Sequence, residues 1–107
     1  MFNNCSSLTS IPQLDTSNGT SFGYMFSGCT SLTSIPQLDT SKGTDFNGMF
    51  NSCKALTSVP QLDTSNGTDF SNMFNNCYNL KRIEGISFKS LNKTVYYYYL
   101  TGYKYMD

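Results

Sequence analysis

The stretch LTSIPQLDTS begins at Leu8 and begins again, letter for letter, at Leu32; at Leu56 it returns with Val59 in place of isoleucine. Aligning the copies gives a period of 24 residues. Met1-Phe2, Met25-Phe26, Met49-Phe50 and Met73-Phe74 open four units, and Leu8, Leu32, Leu56 and Leu80 follow at one offset. A fixed period of roughly 20 to 50 residues marks a solenoid, because one unit cannot bury its own apolar face and neighbours must share a core. Each copy is therefore expected to be one rung, its apolar letters forming columns of like side chains.

Within a rung, Phe46, Met49, Phe50 and Cys53 fall at i, i+3, i+4 and i+7. That spacing predicts a short helix of about two turns, ending near the cysteine. Thr44 or Asp45 stands where a cap belongs. The brief β-branched run LTSIP predicts a short strand, paired in parallel with its copies, and Pro12, Pro36 and Pro60 should stop that ladder because they lack an amide hydrogen. DTSNG reads as a turn, with Asp bonding backbone two residues on and Gly19, Gly43 and Gly67 supplying positive φ. Repeat units starting at 1, 25, 49 and 73 thus fill residues 1–86.

After Ile86 the period breaks, and residues 87–107 gather lysine and tyrosine. A terminal rung needs a cover, so this segment is expected to be a Tyr-rich cap, with Val95–Leu100 and Tyr103–Tyr105 as a small hairpin about Thr101-Gly102. The other end begins inside the consensus. Either the chain is a piece of a longer protein, or its uncapped N-terminal rung supports self-association.

The run M-F-x-x-C-x-x-L-T-S-[IV]-P-Q-L-D-T-S-x-G-T-[DS]-F resembles the BspA-like leucine-rich repeat, in particular the bacterial surface-protein and lipoprotein repeat group, over residues 1 to about 86. In that group Val usually stands where Gly19, Gly43 and Gly67 stand here. The resemblance implies a solenoid on cell-surface, secreted or phage structural proteins, used for adhesion and molecular recognition, with no catalytic residues. Joined to the residue pattern, it predicts an α/β solenoid that is leucine-rich-repeat-like. About four 24-residue rungs would each hold a short strand and a short helix, with a parallel strand ladder and a C-terminal cap.

The chemistry available is narrow. Histidine is absent, which removes Ser-His, Cys-His and His-metal constellations from this chain. Cys5, Cys29, Cys53 and Cys77 share one offset beside Met, Phe and Leu, and are expected to be a structural ladder of buried free thiols; one cysteine per rung does not make a zinc site. Asp15, Asp39 and Asp63 form an acidic ladder whose mutual repulsion a calcium ion would relieve, but no G-G-x-G-x-D motif accompanies them and side-chain-to-backbone turn bonds explain one Asp per rung. Tyr96, Tyr97, Tyr98, Tyr99, Tyr103 and Tyr105 are a candidate binding surface, since tyrosine offers rigid amphipathic area, and capping the last rung is the competing role.

These readings converge on a non-catalytic recognition or adhesion module of a bacterial surface protein or a phage structural, tail-fibre-like protein. No cofactor is expected, and the partner would be a protein or glycan. The zero net charge argues against nucleic acid, and no apolar run is long enough for membrane insertion. An extracellular, cell-surface or virion-surface location is expected, although no signal peptide opens the chain. The alternative is a structural element that stacks head to tail into a fibre. Residues 1–72 carry Asp15, Asp39, Asp45, Asp63 and Asp69 against Lys42 and Lys54, whereas residues 73–107 carry Lys81, Arg82, Lys89, Lys93 and Lys104 against Glu84 and Asp107.

Overall fold

The computed structural model describes residues 2–80. Over these residues the 24-residue units lie on top of one another as rungs, and like side chains form columns as the period requires. Phe2, Phe26, Phe50 and Phe74 make one aromatic column, and Phe22, Phe46 and Phe70 a second. Ring centroids are 5.3 to 5.7 Å apart and planes agree within 16°, the offset-stacked arrangement that aromatic quadrupoles favour. Met25, Met49, Met73, Cys29, Cys53, Cys77 and the columns of Leu32, Leu56 and Leu80, of Ile11, Ile35 and Val59, and of Leu38 and Leu62 are buried with them in the core.

The expected helix and strand are absent. Among the described residues there is no helix, and the only β-pairing is a pair of isolated parallel bridges, Ser21 with Asp45 and Asp45 with Asp69. Over the described residues the chain is thus not an α/β solenoid with helices and a strand ladder; its rungs are built from turns. In the segment read as a helix, Met49 N–H donates to the Phe46 carbonyl at 3.2 Å and Cys53 N–H to Phe50 at 3.1 Å. These are two four-residue turns back to back. Each has its third residue at positive φ, namely Gly48 at 64° and Ser52 at 65°. Such values are the signature of a type II turn and incompatible with a helix near −63°. The spacing i, i+3, i+4, i+7 misled because two turns end to end put their first and last residues on one side, just as a helix does.

Hydrogen bonding explains why turns win. A helix would send the Phe50 amide to Phe46; here it goes to Met73 in the next rung. Phe22, Tyr24, Phe26 and Gly28 likewise donate to Asp45, Asn47, Met49 and Asn51, and Phe46, Gly48, Phe50 and Ser52 to Asp69, Ser71, Met73 and Asn75, all at 2.7 to 2.9 Å. Amides of alternate residues thus pair between rungs, while Met25, Cys29, Met49 and Cys53 among the residues between close turns within a rung. Pairing of this kind is what a backbone packed beside a core demands.

LTSIP does not pair as a strand either. One backbone bond joins two copies, Thr57 N–H to Thr33 at 3.2 Å, and beyond the proline the Gln side chain takes over. Gln13 Nε2 donates to the Gln37 carbonyl at 2.6 Å, and Gln37 Nε2 to Gln61 in the same way. The turn glycines are a second correction. Gly19, Gly43 and Gly67 do not take positive φ; they are small because a phenylalanine ring lies on them. A Cβ on Gly43 would sit 2.7 Å from Phe46 Cζ and 2.8 Å from Phe22 Cδ2. The expected cap over residues 87–107, its hairpin and the last repeat letters Ile83 and Ile86 lie outside the described residues.

Candidate functional site

The Gln-Leu-Asp-Thr-Ser segments of three successive rungs, 13–17, 37–41 and 61–65, line a shallow open groove of about 850 Å³ that runs along the stack. Its floor is made by Leu38 and Leu62, both buried, beside the half-buried Leu14. Its walls repeat Gln, Asp and Ser. Thr16 Oγ1 donates to the Asp39 carbonyl at 2.7 Å, and Thr40 Oγ1 to Asp63 at 2.8 Å. Thr40 is buried, so its hydroxyl must be paired to avoid a desolvation cost, and this bond pairs it. The groove is therefore held by side chains bonding across rungs to backbone, not by a sheet.

The acidic ladder of Asp15, Asp39 and Asp63 lies along this groove. Each carboxylate closes its own turn. Asp15 Oδ1 accepts from Ser17 N–H at 3.1 Å and from Ser17 Oγ at 2.6 Å; Asp39 does the same with Ser41, and Asp63 with Ser65. Hydrogen bonds from the serine hydroxyl, then from the serine amide, hold all three carboxyls below the usual aspartate range. For Asp15 and Asp63 the repulsion of the neighbouring Asp39 opposes this and loses; for Asp39 the ammonium of Lys42 adds to it. The ladder stays ionised through its own turn chemistry. Among the described residues no group of three or more His, Cys, Asp or Glu side chains is placed to hold a metal ion.

The cysteines stand on the core side. Cys29, Cys53 and Cys77 are buried and Cys5 is half-buried, all as free thiols. Each buried thiol donates to the carbonyl of a phenylalanine one rung back: Cys29 to Phe2 at 3.0 Å, Cys53 to Phe26 at 3.1 Å and Cys77 to Phe50 at 3.0 Å. Burial raises all three thiols, Cys77 to about 12, so none is a nucleophile at neutral pH. They are donors within the stack.

Sequence reasoning gave no role to Gln13, Gln37 and Gln61, which edge the groove, the first two also bridging rungs through their side chains. Their signal was recurrence directly after a proline, where backbone pairing fails and a side-chain donor replaces it. The candidate tyrosines Tyr96, Tyr97, Tyr98, Tyr99, Tyr103 and Tyr105 lie outside the described residues. Among the residues that are described, Tyr24 and Tyr78 are the exposed large aromatics, and no helix is long and apolar enough to cross a membrane.

Neither a curated protein nor a solved structure matches this chain. The repeat does match a family model described as Mycoplasma protein of unknown function, DUF285, over residues 1–99; no BspA-like leucine-rich-repeat family is shown. The chain belongs to that repeat-type family.

Proposed function

We propose that the chain is a non-catalytic recognition module whose ligand, a protein or a glycan, lies along the groove of residues 13–17, 37–41 and 61–65. The carrying observation is the groove itself: one set of hydrogen-bonding groups is presented three times at the pitch of the stack. Repeat proteins bind through such extended surfaces, because adjacent rungs add contacts in register. The three ionised carboxylates accept hydrogen bonds and carry negative charge, so the groove favours hydroxyl-rich or amine-bearing ligands and disfavours anions. The motif resemblance to BspA-like surface-protein repeats supports adhesion at a cell or virion surface, and the absence of histidine and of a reactive thiol in the core supports a role without catalysis.

Glycan and peptide arrays probed with the labelled chain test this reading, followed by calorimetry on any hit. Replacing Asp15, Asp39 and Asp63 together by asparagine keeps an oxygen for each serine but removes the charge. Binding of a hit should weaken by about tenfold or more. Hits that bind the triple variant as well as the parent, or arrays with no hit, count against the groove.

A further inference from the structure

Leu8–Ser17 and Leu32–Ser41 are identical, and Leu56–Ser65 departs from them only at the buried Val59. Outside the core the same three rungs differ freely elsewhere: Asn18, Lys42 and Asn66 share one offset, and Ser6, Thr30 and Lys54 another. The copies have therefore diverged where the surface lets them, while the exposed Gln and Asp of the groove are the same in all three.

Folding accounts for only part of this sameness. The turn needs a side-chain oxygen that accepts from two residues on, and asparagine supplies one as well as aspartate does. Aspartate nonetheless stands in every rung, although Asp39 repels Asp15 and Asp63. The side-chain hydroxyl protons of the groove are meanwhile spent within the stack. Those of Ser17, Ser41 and Ser65 go to the Oδ1 atoms of Asp15, Asp39 and Asp63, and those of Thr16 and Thr40 to the Asp39 and Asp63 carbonyls. Gln13 and Gln37 each give a side-chain N–H to the next rung. What these side chains keep for a ligand is mainly acceptors, above all the Oδ2 atom of each aspartate, which takes no bond from the described residues.

We propose that the groove binds a linear polysaccharide without acidic groups, laid along the stack so that like hydroxyl or amine donors meet like acceptors in successive rungs. The claim rests on the recognition reading and narrows its ligand. A row of identical subsites is matched by a ligand that itself repeats, and each further rung engaged multiplies the affinity. A sugar polymer carries the same donors in every unit. A folded protein surface presents different groups from one step to the next and fits rungs that differ, as they do at Asn18, Lys42 and Asn66. The carboxylates turn away uronic and sulfated polymers by repulsion.

Calorimetric titration of the 107-residue chain with β-1,4-linked glucose oligomers and β-1,4-linked glucosamine oligomers of increasing length tests the proposal. Affinity should climb by at least about tenfold from the shortest oligomer that binds to one that spans the groove, and then level off. Mannuronate oligomers of the same linkage should not bind. Asp15→Asn keeps the turn and alters one end rung, so it should reduce a long oligomer to the affinity of a shorter one and leave the shortest unchanged. Asp39→Asn interrupts the row and should weaken every oligomer that spans two rungs. Affinity independent of length, mannuronate binding as tight as glucose or glucosamine, or no binding by either series overturns the proposal. If a lysine-rich peptide binds instead, and the triple asparagine variant loses it, the groove reading stands and the polysaccharide falls. A sugar series that binds the triple variant as well as the parent overturns both.

Discussion

Among the described residues seven, in two columns, have positive φ: Asn4, Gly28, Ser52 and Asn76 in one, Tyr24, Gly48 and Asn72 in the other. Glycine and asparagine accept this region readily, while serine and tyrosine do so at a cost. Ser52→Gly should therefore stabilise the chain by about 0.5 to 1 kcal/mol in urea melts, the loss being the long 3.4 Å bond from its hydroxyl to Asn51 Oδ1. Gly28→Ala should do the opposite and cost more than about 1 kcal/mol, since its φ is 78° and a Cβ there meets Asn4. The first column is visible in the sequence as small and amide residues recurring at one offset, and reading it as a turn position displaces the helix. The thiols were more legible, because Cys among Met, Phe and Leu at one offset has few other uses. A thiol reagent near pH 8 should find Cys5 alone in the folded chain and all four cysteines in denaturant. Fast reaction of two or more would contradict the packing of Cys29, Cys53 and Cys77.

The unit of local structure is the hydrogen-bonded turn, and several kinds share a rung. Far-ultraviolet circular dichroism should accordingly lack the double minimum of an α-helix over the repeat, the reverse of what the apolar spacing alone predicts. The period and the columns could be read because they depend on side-chain identity at fixed separation. The element could not, because one spacing serves both a helix and paired turns, and the choice rests on whether each amide bonds within its rung or to the next. The Asp-Thr-Ser turn was correctly read from its Asx chemistry, while its glycine was given the wrong task. Gly43→Ala should cost about 1 to 3 kcal/mol through collision with the Phe22 and Phe46 rings. Acid should weaken the same turns. The Asp15, Asp39 and Asp63 carboxyls are depressed in the folded chain relative to the free value of 3.8, so their contribution is fully present above that pH and is lost as pH falls through the folded values. Melting temperature measured against pH should fall below about 4, and less steeply in the triple asparagine variant.

At the scale of the molecule, stability is expected to be a sum over junctions, with interior residues worth most. Phe50 is fully buried between Phe26 and Phe74, and Phe50→Ala should cost roughly 3 to 5 kcal/mol. Thr57→Ala removes an exposed hydroxyl that donates to Thr33 at 3.3 Å and should cost about 0.5 kcal/mol or less. Equal costs in denaturant melts would show that the columns are not the core. Because each rung meets the next through the same bonds and the same rings, a rung's surroundings do not depend on how many others there are. An in-frame gain or loss of one 24-residue repeat would lengthen or shorten the groove by one rung, leaving every surviving contact as it was. Near-identical tandem copies such as Leu8–Ser17 and Leu32–Ser41 are also the substrate on which unequal recombination acts. The reach of this surface is thus a quantity that a lineage can change by copy number, without inventing a single new contact.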